Sequence, residues 1–298
     1  MVIIYVNLLS RFTNNMIQYV YSMLLYGQLK DKYEIVFSNK NYLKSGTIHF
    51  KPVMECQIEK TPLYPFIKNH NFKYIEKYYG KGFSTKEINN LDINFNPDIL
   101  NLNIDYSKDI ILSDYFENTN YYKDKELVKK ILNKLLTTTI NIILHDNDVV
   151  IHIRGDDRLR DQYGLNYYKK CLDANSFDNI YIVTDNPKIE YVLYILTNYK
   201  NSKLITSKAC IHPRNNSELN VIFSENFNKE IVNDFLYIYN AKNIIMSIST
   251  FSWFAAYLSN AKKIYFPYEN KCYNNLRVNE ERYIYINKQL DFLSYNDI

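Results

Sequence analysis

Apolar positions along the chain follow the spacing of strands and helices in alternation. Residues 2–9 form a short apolar run, 16–29 carry apolar side chains at helical spacing, and 33–38 resemble a second strand. Several prolines interrupt the irregular stretch 40–105, and 125–144 returns to a helical period. The first half therefore predicts a strand, a helix, a strand, an irregular region and a long helix.

The second half of the chain alternates more regularly. Strands that alternate with helices predict parallel sheets with crossover connections, so we expect an α/β fold built from two such units. The units meet near 145–148, which predicts domains at 1–147 and 148–298. The predicted elements of the second domain are strand 149–153, helix 164–174, strand 180–184, helix 188–199, strand 203–206, helix 228–240, strand 243–247, helix 251–260 and strand 263–266.

The composition suits one large or two medium domains with a substantial core. The chain has 298 residues, of which 47% are hydrophobic. Tyrosine is abundant, with 30 residues, and glycine is scarce, with 6. This bias is typical of a virus or microbe with an AT-rich genome, and it carries no information about function.

Charge, cysteines and the amino-terminal run argue against several classes of protein. A net charge of +4 without lysine clusters argues against nucleic-acid binding. The four cysteines are far apart and form no CxxC pair, which argues against a zinc site or a disulfide framework. Residues 1–9 are too short to span a bilayer and precede no cleavage site. We therefore expect a cytoplasmic protein with at most peripheral membrane contact.

Polar and charged residues follow three predicted strands of the second half directly. These segments are HIRGDD (152–157), VTDNP (183–187) and MSISTFS (246–252). Because ligands bind beyond the carboxyl ends of parallel strands, the segments are expected to line one wall of a cleft. Arg154 offers a planar fork of donors, and a helix that begins in this last segment offers free backbone N–H groups. Together they predict a diphosphate site, although each segment alone is more typical of a solvated loop or an ordinary helix cap.

Five segments resemble family 11 fucosyltransferases in the same order. HIRGDD resembles the HxRRxD-type motif shared by α1,2-, α1,6- and protein O-fucosyltransferases, and 249–267 is similar to an SSFSWW-type helix and a strand that ends in proline. Residues 8–24 resemble the GGLGNQMFQYA-type opening, 112–122 an LxGYFQxxxYF-type segment, and 180–187 a strand ending in SDD or TDDP. The resemblance to a microbial or viral member of this family spans most of the chain.

The resemblance implies a GT-B-like fold, in which two Rossmann-like domains face each other across a cleft. Domain 148–298 would bind GDP-fucose, and domain 1–147 would bind the acceptor. The implied reaction is an inverting transfer of fucose to a hydroxyl group of a glycan, with an α1,2 linkage. GDP-fucose and the glycan would be the partners, and neither a metal nor another cofactor is expected.

The resemblance also implies roles for individual residues. Arg154 would bind the β-phosphate and stabilise the charge of the departing GDP, while His152 would lie near the guanine or the ribose. Asp234 would accept hydrogen bonds from guanine, and Asn14 would approach the fucose from the other domain. Asp157 is a candidate base, with loop orientation or a salt bridge to a neighbouring arginine as alternatives. The remaining donor-binding positions are Ser249, Thr250, Phe251 and Ser252.

Two other interpretations remain open. Gly155 stands where the family motif has a second arginine, and the amino-terminal glycines are missing, which favours a non-catalytic scaffold that binds a GDP-sugar or a glycan. Asp146 and Asp148 form a DxD sequence, with which GT-A transferases hold Mg²⁺ or Mn²⁺ against a diphosphate. The competing explanation for DxD, which we favour, is a polar turn before strand 149–153.

Overall fold

The chain divides into two structural units, Met1–Lys134 and Leu135–Ile298. The predicted domains 1–147 and 148–298, with acceptor binding assigned to the first and GDP-fucose binding to the second, stay predictions. The computed structural model describes residues 2–7, 12–29, 33–38, 110–112, 116–155, 163–206, 225–268 and 274–298.

A parallel sheet of three strands lies in the described part of the first unit. β1 (Val2–Asn7) pairs on one side with β2 (Tyr33–Ser38) and on the other with β3 (Ile110–Leu112). The helix α1 (Phe12–Leu29) connects β1 to β2. The predicted order of strand, helix and strand is confirmed. α1 begins four residues before its predicted start, because the polar residues of its first turn hide the helical period.

Two short helices replace the single helix predicted over 125–144. Asp124 caps α2 (Lys125–Ile131), because its carboxylate accepts from the backbone N–H of Leu127 at 2.9 Å. A second helix, α3 (Asn133–Leu136), follows directly. The prediction of one long helix is wrong because three consecutive threonines, which are poor helix formers, follow α3.

A seven-stranded sheet forms the centre of the second unit. Its strand order is β10-β9-β8-β7-β4-β5-β6, and all pairs are parallel except β9 with β10. Each strand predicted between residues 149 and 267 lies within two residues of its predicted bounds, whereas β9 and β10 were not predicted. The strands are β4 (Val149–Ile153), β5 (Ile180–Thr184), β6 (Ser202–Leu204), β7 (Asn243–Ile245), β8 (Lys263–Pro267), β9 (Tyr283–Ile286) and β10 (Phe292–Leu293).

Helices connect the strands of this sheet, as the sequence predicts. None of the helices in the described parts of the chain is both long and apolar enough to cross a bilayer. In the described part of the second unit, the helices are α4 (Gly164–Asp173), α5 (Glu190–Asn198), α6 (Glu225–Asn240) and α7 (Thr250–Leu258), and short 3₁₀ helices cover Asn274–Leu276 and Tyr295–Asp297.

The core of the second unit lies on both faces of the inner strands β4 and β5. All five residues of β4 and all five of β5 are buried, which is typical of a parallel sheet covered by helices on both sides. Trp253 of α7 is also buried, and its indole N–H donates to the carbonyl oxygen of Leu276 at 2.9 Å. The tryptophan is therefore part of the hydrophobic core.

Candidate active site at the carboxyl edge of the seven-stranded sheet

The direction in which strands are added to the sheet reverses between β4 and β7. From β4 the chain builds outward through β5 to β6, and it then returns to the other side of β4 to form β7, β8 and β9. Open α/β sheets bind their ligands at such a reversal, beyond the carboxyl ends of the two strands that flank it. The residues that follow β4 and β7 therefore form the candidate site.

Arg154 follows β4 and lies beside the beginning of α7. Its Nη1 is 3.5 Å from the Oγ of Ser249, which is the residue that caps α7. The same Oγ accepts from the backbone N–H of Phe251 at 3.3 Å. The first N–H groups of a helix carry partial positive charge, and the guanidinium adds a full charge with a planar set of donors. The arrangement favours an anion such as a phosphate group.

Gly155 connects the loop after β4 to the turn after β5 by a hydrogen bond. Its backbone N–H donates to Asp185 Oδ1 at 2.6 Å. A Cβ atom at this position would lie 2.7 Å from the Cβ of Asn186, which is closer than side chains normally approach. The close approach of the two loops leaves no room for a side chain at position 155, where the HxRRxD-type motif has its second arginine.

His152 is the fourth residue of β4, and its side chain is buried. Its Nδ1 lies 2.6 Å from Ser247 Oγ, and its ring centre is 5.4 Å from that of Phe251. Burial and, second, the nearby charge of Arg154 lower the pKa of His152 to about 3. The imidazole is therefore neutral at physiological pH.

The other predicted residues of the 249–252 segment contribute differently. Thr250 is the first residue of α7 and is half-buried. Ser252 is fully buried, and its hydroxyl donates to the carbonyl oxygens of Ser247 at 3.2 Å and Ser249 at 3.3 Å. Ser252 thus shapes the loop before α7, and direct contact between its side chain and a ligand stays a prediction.

Asp234 is a buried residue of α6, and this helix packs against the beginning of α7. The ring of its neighbour Phe235 packs edge-on against Phe251, with ring centres 5.9 Å apart. Burial and, second, the Asp234 carboxylate raise the pKa of Tyr237. A buried carboxylate therefore lies on the helix that adjoins the anion site, while guanine recognition by Asp234 stays a prediction.

The other two predicted site residues are Asn14 and Asp157. Asn14 is a half-buried residue of α1 in the first unit. Asp157 falls outside the residues that the structure describes, as do the neighbouring arginines considered as its partners. The roles proposed for Asn14 and Asp157 stay predictions.

Residues that sequence analysis did not single out also shape the site. Ser247 forms a hydrogen bond with His152, Asp185 accepts from the backbone of Gly155, and the side chain of Asn186 lies close to Gly155. All three lie in the polar segments that follow strands, so the sequence indicated where to look. Their individual roles depend on contacts between residues 30 and 95 positions apart, which a local pattern does not encode.

The DxD sequence lies at the opposite, amino-terminal edge of the sheet. The Asp148 carboxylate accepts from the backbone N–H of His145 at 2.7 Å and from the side-chain amide of Asn179 at 2.8 Å. Asp146 forms an exposed ion pair with Lys262 at 2.7 Å. These contacts make DxD a hydrogen-bonded turn before β4, as we expected. Within the described residues, no group of three or more His, Cys, Asp or Glu residues could hold a metal ion.

Comparisons with known proteins identify the fold. No family model matches the sequence, and no curated protein matches it. The solved structure of the fucosyltransferase NodZ from Bradyrhizobium is similar, with a TM-score of 0.51, 9% identity, and coverage of 88% of this chain and 94% of NodZ. NodZ α1,6-fucosyltransferase soaked with GDP-fucose has a TM-score of 0.48 at 8% identity, covering 88% of this chain and 93% of that one. The first of these likenesses confirms the predicted α/β, GT-B-like fold class.

Proposed function

We propose that this chain transfers fucose from GDP-fucose to a hydroxyl group of a glycan acceptor. One observation carries the proposal, which is the distance of 3.5 Å between the Arg154 guanidinium and the Ser249 cap of α7 at the reversal of strand order. Such a site suits a diphosphate. The fold shared with the fucosyltransferase NodZ, together with the HIRGDD and STFSW segments, supports fucosyl transfer over other functions that bind phosphate.

The donor diphosphate is assigned to Arg154 and the first turn of α7. The Oγ of Ser249 accepts from both Arg154 and the N–H of Phe251. Its own proton has no acceptor among the described residues, so it can donate to a phosphate oxygen. Arg154 and this hydroxyl would then bind neighbouring oxygens of the same diphosphate.

The nucleoside is assigned to the part of the site that is formed by α6 and β4. The carboxylate of Asp234 would accept from the N1–H and N2–H₂ groups of guanine, a pair of donors that adenine lacks. His152 and Phe251, whose ring centres are 5.4 Å apart, would lie against the ribose. This assignment predicts that GDP binds better than ADP or UDP.

The proposed reaction is a single displacement at C1 of fucose, which inverts its configuration. The bond from C1 to the phosphate oxygen breaks as the acceptor oxygen attacks, and the sugar gains oxocarbenium character. Arg154 and the N–H groups of α7 stabilise the negative charge that develops on GDP, so this charge requires no metal ion. Asp157 is the candidate base for the acceptor proton, and Asn14 the candidate contact to fucose. The α1,2 linkage and membership of family 11 rest on the sequence resemblance.

Calorimetric titration with GDP, GDP-fucose, GDP-mannose and UDP-galactose, each with and without EDTA, tests donor binding. The guanine nucleotides should bind equally well with and without EDTA, and UDP-galactose should not bind. Arg154→Ala removes charge-assisted hydrogen bonds and should weaken GDP binding at least tenfold. Lys262→Ala is the matched control, because it removes a positive charge at the opposite edge of the sheet and should leave GDP affinity unchanged.

GDP binding that is unchanged in Arg154→Ala contradicts the proposed site, and loss of binding on adding EDTA contradicts the metal-free mechanism. Turnover is then measured as GDP release from GDP-fucose in the presence of a set of glycans. GDP-fucose binding without release of GDP for any glycan would indicate the non-catalytic scaffold instead.

A further inference from the structure

Ser247 and His152 form a buried, hydrogen-bonded pair. The hydrogen-bond partners of the two side chains decide which nitrogen of the imidazole carries the proton. Ser247 is 2% exposed and His152 is 6% exposed, and Ser247 Oγ lies 2.6 Å from His152 Nδ1. Because His152 is neutral, its ring carries a single proton, on either Nδ1 or Nε2. Which nitrogen carries the proton follows from the partners of both residues.

The hydroxyl of Ser247 decides between the two possibilities. Among the described residues, its Oγ makes one hydrogen bond, to Nδ1 of His152. If Nδ1 carried the ring proton, Nδ1 would donate and the buried hydroxyl proton of Ser247 would have no acceptor, which costs free energy. If Nδ1 is bare, the hydroxyl proton of Ser247 and the lone pair of Nδ1 satisfy each other. The ring proton then lies on Nε2, which is not among the fully buried side-chain atoms without a partner, so water or a ligand can accept from it.

We propose that Ser247 holds His152 in the tautomer with the proton on Nε2, so that the site presents a neutral hydrogen-bond donor to the nucleotide. No hydrogen bond from the described residues reaches Nε2 of His152, so this N–H is available to a ligand. An N–H donor suits the oxygens of a ribose or a phosphate. The inference deepens the proposed function and rests on it for the identity of the ligand.

This tautomer also excludes His152 as the general base of the reaction. The bare Nδ1 accepts from Ser247, which is buried, and Nε2 already carries a proton. The ring therefore has no lone pair left to take a proton from the hydroxyl group of the glycan. Ser247 is therefore a positioning residue, and His152 a donor that acts without changing its protonation state.

Nuclear magnetic resonance of the chain labelled with ¹⁵N-histidine tests the tautomer directly. Signals of His152 are assigned by their loss in His152→Gln. We expect a pyridine-type Nδ1 and a pyrrole-type Nε2 in the wild type. A pyrrole-type Nδ1, or two protonated nitrogens at pH 7, overturns the proposal whether or not the protein binds GDP.

Two variants of Ser247 test its positioning role. Ser247→Ala removes the donor to Nδ1, so the His152 signals should shift toward a mixture of both tautomers and GDP affinity should fall about three- to tenfold. Ser247→Thr keeps a hydroxyl and should restore both. Ser259→Ala is the control, because it removes another buried serine hydroxyl at the far end of α7 and should change neither.

The outcomes separate this inference from the proposed function. An unchanged tautomer and unchanged GDP affinity in Ser247→Ala overturn the role of Ser247. A wild type with the expected tautomer but no affinity for GDP overturns the proposed function, and the pairing of Ser247 with His152 then stands.

Discussion

Gly155 donates its backbone N–H to the carboxylate of Asp185 across 2.6 Å, and this bond connects the two loops at the carboxyl ends of β4 and β5. A hydrogen bond to a carboxylate is stronger than one between neutral groups. It fixes the direction in which the chain leaves β4. Since Arg154 immediately precedes Gly155, the same bond helps to aim the guanidinium at the start of α7.

Gly155→Ala should destabilise the second unit. The added Cβ would lie 2.7 Å from Asn186 Cβ, so the two loops must move apart. We expect a loss of about 1–3 kcal/mol in the free energy of unfolding, as for other overpacked sites. Denaturant titration measures the change, and GDP affinity should fall because the Arg154 loop moves.

Gly27→Ala serves as the comparison for this substitution. Apart from the backbone of α1 itself, no atom of the described residues lies within 4 Å of a Cβ at Gly27. Its position within α1 favours alanine, so this variant should be slightly more stable. Asn186→Gly removes the clashing Cβ and should recover most of the stability lost in Gly155→Ala. Additive effects of Gly155→Ala and Asn186→Gly would contradict the steric explanation.

Substitutions of Ser249 should separate its capping role from its role in anion binding. Ser249→Ala removes the cap and should cost about 1 kcal/mol of stability. Ser249→Asp keeps a capping oxygen, so stability should be retained. Its carboxylate would form an ion pair with Arg154 and repel a diphosphate, so GDP binding should be lost. A Ser249→Asp variant that binds GDP normally would place the diphosphate elsewhere.

The stability of the second unit should fall between pH 6.5 and pH 3 because of His152. Its pKa is about 3 in the folded chain and about 6.5 when unfolded, so the unfolded chain binds the extra proton in this window. Unfolding is therefore favoured as the pH falls, by about 2 kcal/mol at pH 5 relative to neutral pH. Denaturant titrations of the wild type and His152→Gln at pH 7 and pH 5 isolate this contribution. An equal pH dependence in both proteins would show that folding does not lower the pKa of His152.

The carboxylates of the DxD sequence should matter for folding and not for donor binding. Asp146→Asn removes an exposed ion pair and should leave both stability and GDP affinity nearly unchanged. Asp148→Asn weakens buried hydrogen bonds to His145 and Asn179 and should lower stability by about 1.5–3 kcal/mol. Calorimetry on the folded variants checks donor affinity. A metal-dependent loss of binding in Asp146→Asn would move the donor site to the other edge of the sheet.

The local pattern of the sequence was sufficient for most of the seven-stranded sheet. β4 and β5 are continuous apolar runs with polar residues directly after them, so their bounds and the position of the site at their ends were predictable. The helix over 125–144 was mispredicted because apolar residues at helical spacing continue past a run of threonines. β9 and β10 are short, and they are defined by pairing with β8 and with each other more than by their own sequence.

The internal contacts of the site could not be predicted in the same way. The pairing of His152 with Ser247 depends on β4 and β7 being neighbours, which a period of apolar residues does not reveal. Gly155 was noticed only as a departure from a motif. Its physical cause, the closeness of Asn186, needs the three-dimensional arrangement of two loops.

β4 pairs on one side with β5, which follows it closely in the sequence, and on the other side with β7, which comes much later. The contact between Gly155 and Asp185 spans 30 residues, whereas that between His152 and Ser247 spans 95, and closing the longer loop costs about 1 kcal/mol more in chain entropy. A nascent chain on the ribosome can therefore assemble β4, β5 and β6 while the segment that carries β7 and α7 is still being synthesised. Until that segment emerges, the chain has Arg154 but no helix start to face it, so the proposed nucleotide site is complete only late in synthesis.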